Sequence, residues 1–226
     1  MSTHARTIGE PLRLVSFRTF WVASTLGFFG MSISALAVDV LVIQGLHASE
    51  VEVGVVRAAQ FVPYLLIGLI AGALVDRWRR RPTLIVSNLA QGLLLLLLPT
   101  LWWFDALTVW VVAGVLLIAG SFAVFAAAAE QSLLPDLVPR HSLVMSNARL
   151  GQSMTVAQSA GPPLAGALIA WLNVASALVL GGLTRVATAV LVSRIPDEEP
   201  VPEVRPRLTL RSDISAGLSS STDTGR

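Results

Sequence analysis

The sequence predicts an all-α membrane protein with six transmembrane helices and both termini in the cytoplasm. Three observations predict it. Of 226 residues, 54% are hydrophobic and only 13% charged, where soluble domains carry about 25% charge. Six stretches reach the roughly 20 mostly apolar residues that a spanning helix needs. Among the connections between those stretches only alternate ones hold Arg, and basic connections stay in the cytoplasm.

The spans fall at about 20–42, 53–74, 82–103, 107–130, 150–171 and 174–194. The first is too long and continuous for a cleaved leader. Arg6, Arg13 and Arg18 precede it, Arg77, Arg79, Arg80 and Arg81 follow the second, and Arg140 and Arg149 follow the fourth. Arg194, Arg205, Arg207, Arg211 and Arg226 follow the sixth. The other connections lack Arg but hold Glu50, Glu52 and Asp105. These are short, so consecutive spans are expected to pack antiparallel. Trp21, Trp78, Trp102, Trp103, Trp110 and Trp171 all fall at span ends or in a short connection, where the indole N–H stays wet. The organisation is a cytoplasmic N-terminus over 1–19, a bundle over 20–194 and a polar, Pro-rich cytoplasmic segment over 195–226. In that last segment, 207–218 reads as a short amphipathic surface helix and 219–226 as a low-complexity tail.

Several functions are excluded. All 16 basic residues are Arg, Cys is absent and the three His are scattered, which gives no thiol chemistry and no metal cluster. No phosphate-cradling GxxxxGK[ST], HExxH or GxSxG stands in the chain. The protein is therefore expected to be no enzyme, with no catalytic residues, metal or cofactor. The Arg-rich connection is too short and too close to the bilayer for a nucleic-acid surface. The expected partner is the lipid bilayer, and the expected location is the inner cell membrane, as a multi-pass protein.

Between spans two and three the chain reads Gly72-Ala73-Leu74-Val75-Asp76-Arg77-Trp78-Arg79-Arg80-Arg81. Gly72 suits close helix approach. Asp76 suits an Arg or a facing helix N-terminus, and Arg79, Arg80 and Arg81 suit anionic headgroups. This segment resembles the signature loop of the major facilitator superfamily. Gln60-Phe61-Val62-Pro63-Tyr64 resembles the second span of its drug and siderophore exporters, and Leu134-Pro135-Asp136 with Ser146-Asn147-Ala148 their fourth-to-fifth connection. Gly161-Pro162-Pro163-Leu164-Ala165-Gly166 resembles their fifth-span Gly-Pro motif, with Ala157 and Ala165 where Gly is commoner. The branch it resembles holds the enterobactin exporter and macrolide-efflux proteins.

The resemblance implies one half of a major facilitator fold, built as an inverted 3+3 repeat. It also implies a signature loop (Gly72, Asp76, Arg77, Arg80, Arg81) that locks two halves together, with Asp76 facing a span of the other half. Gly161, Pro162 and Gly166 would shape a helix that either merely kinks or rocks between two states. Related proteins carry an Asp and an Arg early in span three, where this chain has Asn88 and Gln91. The implied function is proton-coupled efflux of small amphipathic molecules such as drugs or siderophores, with such a small-molecule substrate as a further implied partner. It would need a C-terminal six-helix half or a second copy. The chain's length and its Ser-rich ending also fit a frameshifted or truncated remnant that transports nothing, or a homodimerising membrane interaction protein.

Charges inside the bilayer default to functional hypotheses. Asp39 and Arg57 lie near the outer ends of spans one and two, at matching depth, and either form a pair or reach the interface separately. Arg185 lies near the middle of span six, where it serves an anionic substrate in a central cavity or is a tolerated lesion. Asp39 is the expected proton-carrying carboxylate. Glu130 is expected at the inner end of span four, solvated.

Overall fold

The computed structural model describes residues 10–75 and 78–196. It holds six long helices: α1 (Val15–Val40, extended by a π-helical turn Leu41–Gly45), α2 (Glu50–Val75), α3 (Arg80–Trp103), α4 (Val109–Leu137), α5 (Leu143–Trp171) and α6 (Val174–Ser193). A single turn, Glu10–Arg13, leads into α1. Five of the six are long and apolar enough to cross a membrane. The other is α5, whose 29 residues include Asn147, Arg149, Gln152 and Gln158. Its length suffices to span, and its polar side chains lower its hydropathy.

Helix starts follow local chemistry. At the bundle end bearing Glu50, Glu52 and Asp105, all three helices that begin there are capped. Ser49 and Glu52 exchange hydrogen bonds in a capping box at α2. Thr108 Oγ1 accepts from Val111 N at 3.3 Å at α4, and Asn173 Oδ1 accepts from Ser176 N at 2.8 Å at α6. The helices that begin at the opposite, basic end have no side-chain cap.

Neighbours run in the order α2, α4, α3, α6, α1, α5. Exchanging α1 with α4, α2 with α5 and α3 with α6 leaves that set of neighbours unchanged. Such a pattern is what two three-helix units related by a twofold axis produce. The bundle is an arc, with α3 and α6 at its back, α2 and α5 at its two tips, and α1 and α4 scarcely touching each other.

The expectation that consecutive spans pack antiparallel holds for α3 with α4 but fails for α1 with α2, and α5 meets α6 only slightly. A short connection joins helix ends and does not dictate which faces meet. The buried stripe of α1 is taken by α6 and α5, where small residues allow the closest approach. A Cβ on Gly30 would collide with Thr184, and one on Gly181 with Ser34.

The core is in two parts. One apolar cluster, including Phe17, Phe20, Leu84, Leu133 and Val192, lies toward the basic end. The other, including Ile33, Val38, Leu98, Val112 and Leu178, lies toward the opposite end. Between them the helices carry small and polar residues: Ser24, Gly27 and Gly30 on α1, Ser87, Asn88, Gln91 and Gly92 on α3, and Gly181, Gly182, Thr184, Arg185 and Thr188 on α6. This polar layer positions the candidate site.

Candidate functional site

The layer is built around Arg185. Its Nη1 donates to Asn88 Oδ1 at 3.1 Å, bridging α6 to α3. Asn88 is almost fully buried and spends its Nδ2 on Leu84 O at 2.9 Å, which fixes Oδ1 toward the guanidinium. Gly27 and Gly92 make room: a Cβ on either would lie within 3.7 Å of an Arg185 atom. Thr188 Oγ1 donates to Ala23 O on α1 at 3.1 Å.

Glu130 of α4 and Tyr64 of α2 lie within electrostatic range of the guanidinium, and Ser24 of α1 sits beside the Glu130 carboxyl. At about 1.5 Å per residue, Ser24, Asn88, Glu130 and Arg185 all fall roughly 10–14 Å from the basic ends of their helices. Four helices thus bring polar groups to one depth.

This corrects the expectation for Glu130. It is not a solvated residue at a span end, because α4 continues seven residues past it to Leu137. Its Oε1 is buried and meets no hydrogen-bond donor. The polar run Glu130-Gln131-Ser132 reads as an exit from the bilayer, but Leu133 and Leu134 turn back into the core. Trp21 departs too. Its Nε1 is buried without a partner, whereas Trp103, Trp110 and Trp171 are largely exposed near helix ends.

Asp39 and Arg57 meet at the other end of the bundle, Nη2 to Oδ2 at 3.0 Å. Both side chains are substantially exposed, so the pair contributes little. Asp39→Asn and Arg57→Gln are expected to show a coupling of about 0.5 kcal/mol in a double-mutant unfolding cycle. Strictly additive losses would mean the contact contributes nothing.

At the basic end, Arg80 pairs with Asp136 of α4. Arg81 donates from Nε to Val192 O at 3.2 Å and from Nη2 to Ser193 O. It thereby satisfies carbonyls at the C-terminus of α6, where a cation suits the helix dipole. These two arginines clamp α3 to α4 and α6 and are not simply headgroup ligands. Asp76 and Arg77 lie outside the described residues, as does 207–218. Among the described residues a Cβ on Gly72 would meet nothing within 4 Å, so the close approach expected of it is not made with them. Gly161 does make one, against Ser32 of α1, while Gly166 faces open space. Ala157 and Ala165 are fully buried, so a methyl group fits where Gly is commoner. The helix runs unbroken through Pro162 and Pro163.

Comparison with known proteins decides the family. A family model described as a transmembrane secretion effector matches residues 7–223. The chain belongs to this family of major facilitator transporters. An uncharacterised MFS-type transporter of Mycobacterium tuberculosis is 34% identical over 151 residues, covering 64% of this chain and 34% of that protein. The multidrug efflux pump Tap of the same organism is 28% identical over 179 residues, 77% of this chain and 39% of the pump. The staphyloferrin A transporter of Staphylococcus aureus is 26% identical over 152 residues, 67% of this chain and 38% of that protein. The match to each curated relative spans between a third and two fifths of its length.

As a major facilitator chain it is a multi-pass membrane protein and not an enzyme. Sequence reasoning found Arg185, Asp39, Arg57 and the loop arginines from charge in or beside apolar stretches. It did not find Glu130 as a member of the Arg185 layer. The available signal was depth. Counting residues from each basic helix end would have put Asn88, Glu130 and Arg185 level, once α4 was allowed to run to Leu137.

Proposed function

We propose that the chain is one six-span half of a proton-coupled exporter of small amphipathic molecules, with both termini cytoplasmic. It would act together with a second six-helix bundle. The observation that carries this reading is the arc. Helices α2 and α5 stand at its two tips with most of their surfaces uncovered, and α1 and α4 face each other over a polar layer. A second bundle laid against α2 and α5 would enclose that layer, and rocking of two bundles about a fixed midplane site is how such folds alternate access. The relatives' names, a multidrug pump and a siderophore transporter, support efflux of drug-like or siderophore-like molecules. A C-terminal half is the expected second bundle, and a second copy of this chain is the other occupant of the same faces.

Export driven by a proton gradient has a direct test. Vesicles holding the full chain with its second bundle are loaded with a fluorescent amphiphile, and efflux is followed before and after an uncoupler is added. Efflux is expected to stop when the gradient collapses. Efflux that continues unchanged rules out proton coupling, and no efflux with either bundle arrangement rules out the exporter.

A further inference from the structure

We propose that the back of the α3–α6 pair is a binding site for an acidic phospholipid. Its phosphate lies between Arg79 and Arg194, and its chains run along the two helices. The site stands apart from the exporter reading and needs no transport.

The Arg185–Asn88 hydrogen bond marks the inner sides of α6 and α3. Arg79 stands nine residues before Asn88, and Arg194 nine residues after Arg185. Nine residues are two and a half turns at about 3.6 per turn, so both arginines fall on the sides turned away from the polar layer. Both are exposed. The same two sides carry exposed apolar residues at helical spacing, Val86, Leu89 and Leu93 on α3 and Leu180, Leu183 and Val190 on α6.

The two arginines come together at one place on the rim. Arg81 donates to Ser193 O, which ties the first turn of α3 to the last turn of α6. Arg79 is two residues before Arg81, and Arg194 directly follows Ser193. They therefore flank one helix–helix contact at one depth, just below the two apolar stripes.

Their charges are free for a ligand. Arg80 is occupied by Asp136, and Arg81 by carbonyls of α6. Among the described residues neither Arg79 nor Arg194 has a carboxylate partner. Both guanidinium groups stay protonated, and two like charges beside hydrocarbon are relieved by an anion between them. Helix α3 also begins without a side-chain cap, so its first-turn N–H groups and dipole favour the same anion.

Charge complementarity thus selects a phosphate, and the apolar stripes select one that carries acyl chains. Basic pockets between helices hold acidic headgroups in this way. A choline headgroup brings its own cation and gains less. The acidic run Asp197-Glu198-Glu199 follows Arg194 and lies outside the described residues. It matches the charge but supplies no chains for the stripes.

The test uses the full chain in neutral-detergent micelles given equal amounts of dioleoylphosphatidylglycerol and dioleoylphosphatidylcholine. Native mass spectrometry counts the lipid retained. Phosphatidylglycerol is expected to be retained about tenfold or more over phosphatidylcholine, each arginine contributing roughly fivefold. Arg79→Gln and Arg194→Gln should each lose roughly fivefold, and together the whole preference. Arg140→Gln is the control. Arg140 is exposed at the same basic end, in the turn between α4 and α5, and its loss should change nothing.

Equal retention of the two lipids by the wild-type chain overturns the site. So does a loss in Arg140→Gln as large as in the other two, which shows a diffuse charge effect. Inorganic phosphate in large excess should not displace the lipid, and displacement would show that the chains contribute nothing. A preference gained only when Asp197→Asn, Glu198→Gln and Glu199→Gln are combined shows that the acidic run, not lipid, occupies the arginines. Circular dichroism checks folding, and should the double variant fail to fold, the two single variants decide. Efflux is no part of the readout, so failure here leaves the exporter reading standing.

Discussion

Arg185→Met is expected to destabilise the bundle by roughly 3 kcal/mol, the scale for leaving a buried acceptor without its charged donor and a nearby buried carboxyl without a compensating charge. Adding Glu130→Gln to the same chain should recover most of that loss. The single variant leaves the Glu130 carboxylate with Ser24 as its remaining support and leaves Asn88 Oδ1 without the Nη1 donor it now meets at 3.1 Å. The double variant removes the uncompensated charge. A net gain over wild type in the double variant would also fit, because well-packed apolar or neutral replacements of buried ion pairs are often neutral or stabilising. Chemical unfolding in detergent measures all three chains. A single variant as stable as wild type, or a double variant no better than the single, would show that Arg185 and Glu130 do not depend on each other.

Gly92→Val should cost about 2–3 kcal/mol by overpacking, the second large effect. A Cβ at Gly92 would sit 2.9 Å from Gly182 O and 2.8 Å from Val186 Cγ2. A side chain can rotate away, but a helix carbonyl cannot, so α3 and α6 must move apart. That movement pulls Asn88 from Arg185 as well. Gly114→Ala is the control. Among the described residues nothing lies within 4 Å of a Cβ there, and the exchange should be neutral or stabilising by up to about 1 kcal/mol through helix propensity. Equal melting temperatures for Gly92→Val and Gly114→Ala would refute the close α3–α6 contact.

Which glycines matter was not legible along the chain. Gly72, Gly92 and Gly166 look alike in sequence, each a small residue in an apolar run. Of these three only Gly92 meets a neighbouring helix among the described residues, because it stands on the face of α3 that packs against α6. The faces of α2 and α5 that hold Gly72 and Gly166 are the uncovered tips of the arc. Pairing of Asp39 with Arg57 was more legible, because opposite charges at matching depth near the ends of consecutive spans stand out in the sequence itself.

The sequence by itself determined the kind of molecule. Apolar runs of spanning length, arginines in alternate connections and tryptophans at the borders are one-dimensional signals. They follow from the bilayer acting as a solvent of fixed thickness. The loop from Gly72 to Arg81 carried the family for the same reason, since its residues are contiguous. Tertiary structure alone decided which helices are neighbours and what shares a depth. Hydropathy along a helix says how far it runs through lipid, not which face another helix will cover. That choice comes from small residues meeting across α1, α3 and α6. It is this packing that brings Ser24, Asn88, Glu130 and Arg185, spread over more than 160 positions of chain, into one polar layer between two apolar cores.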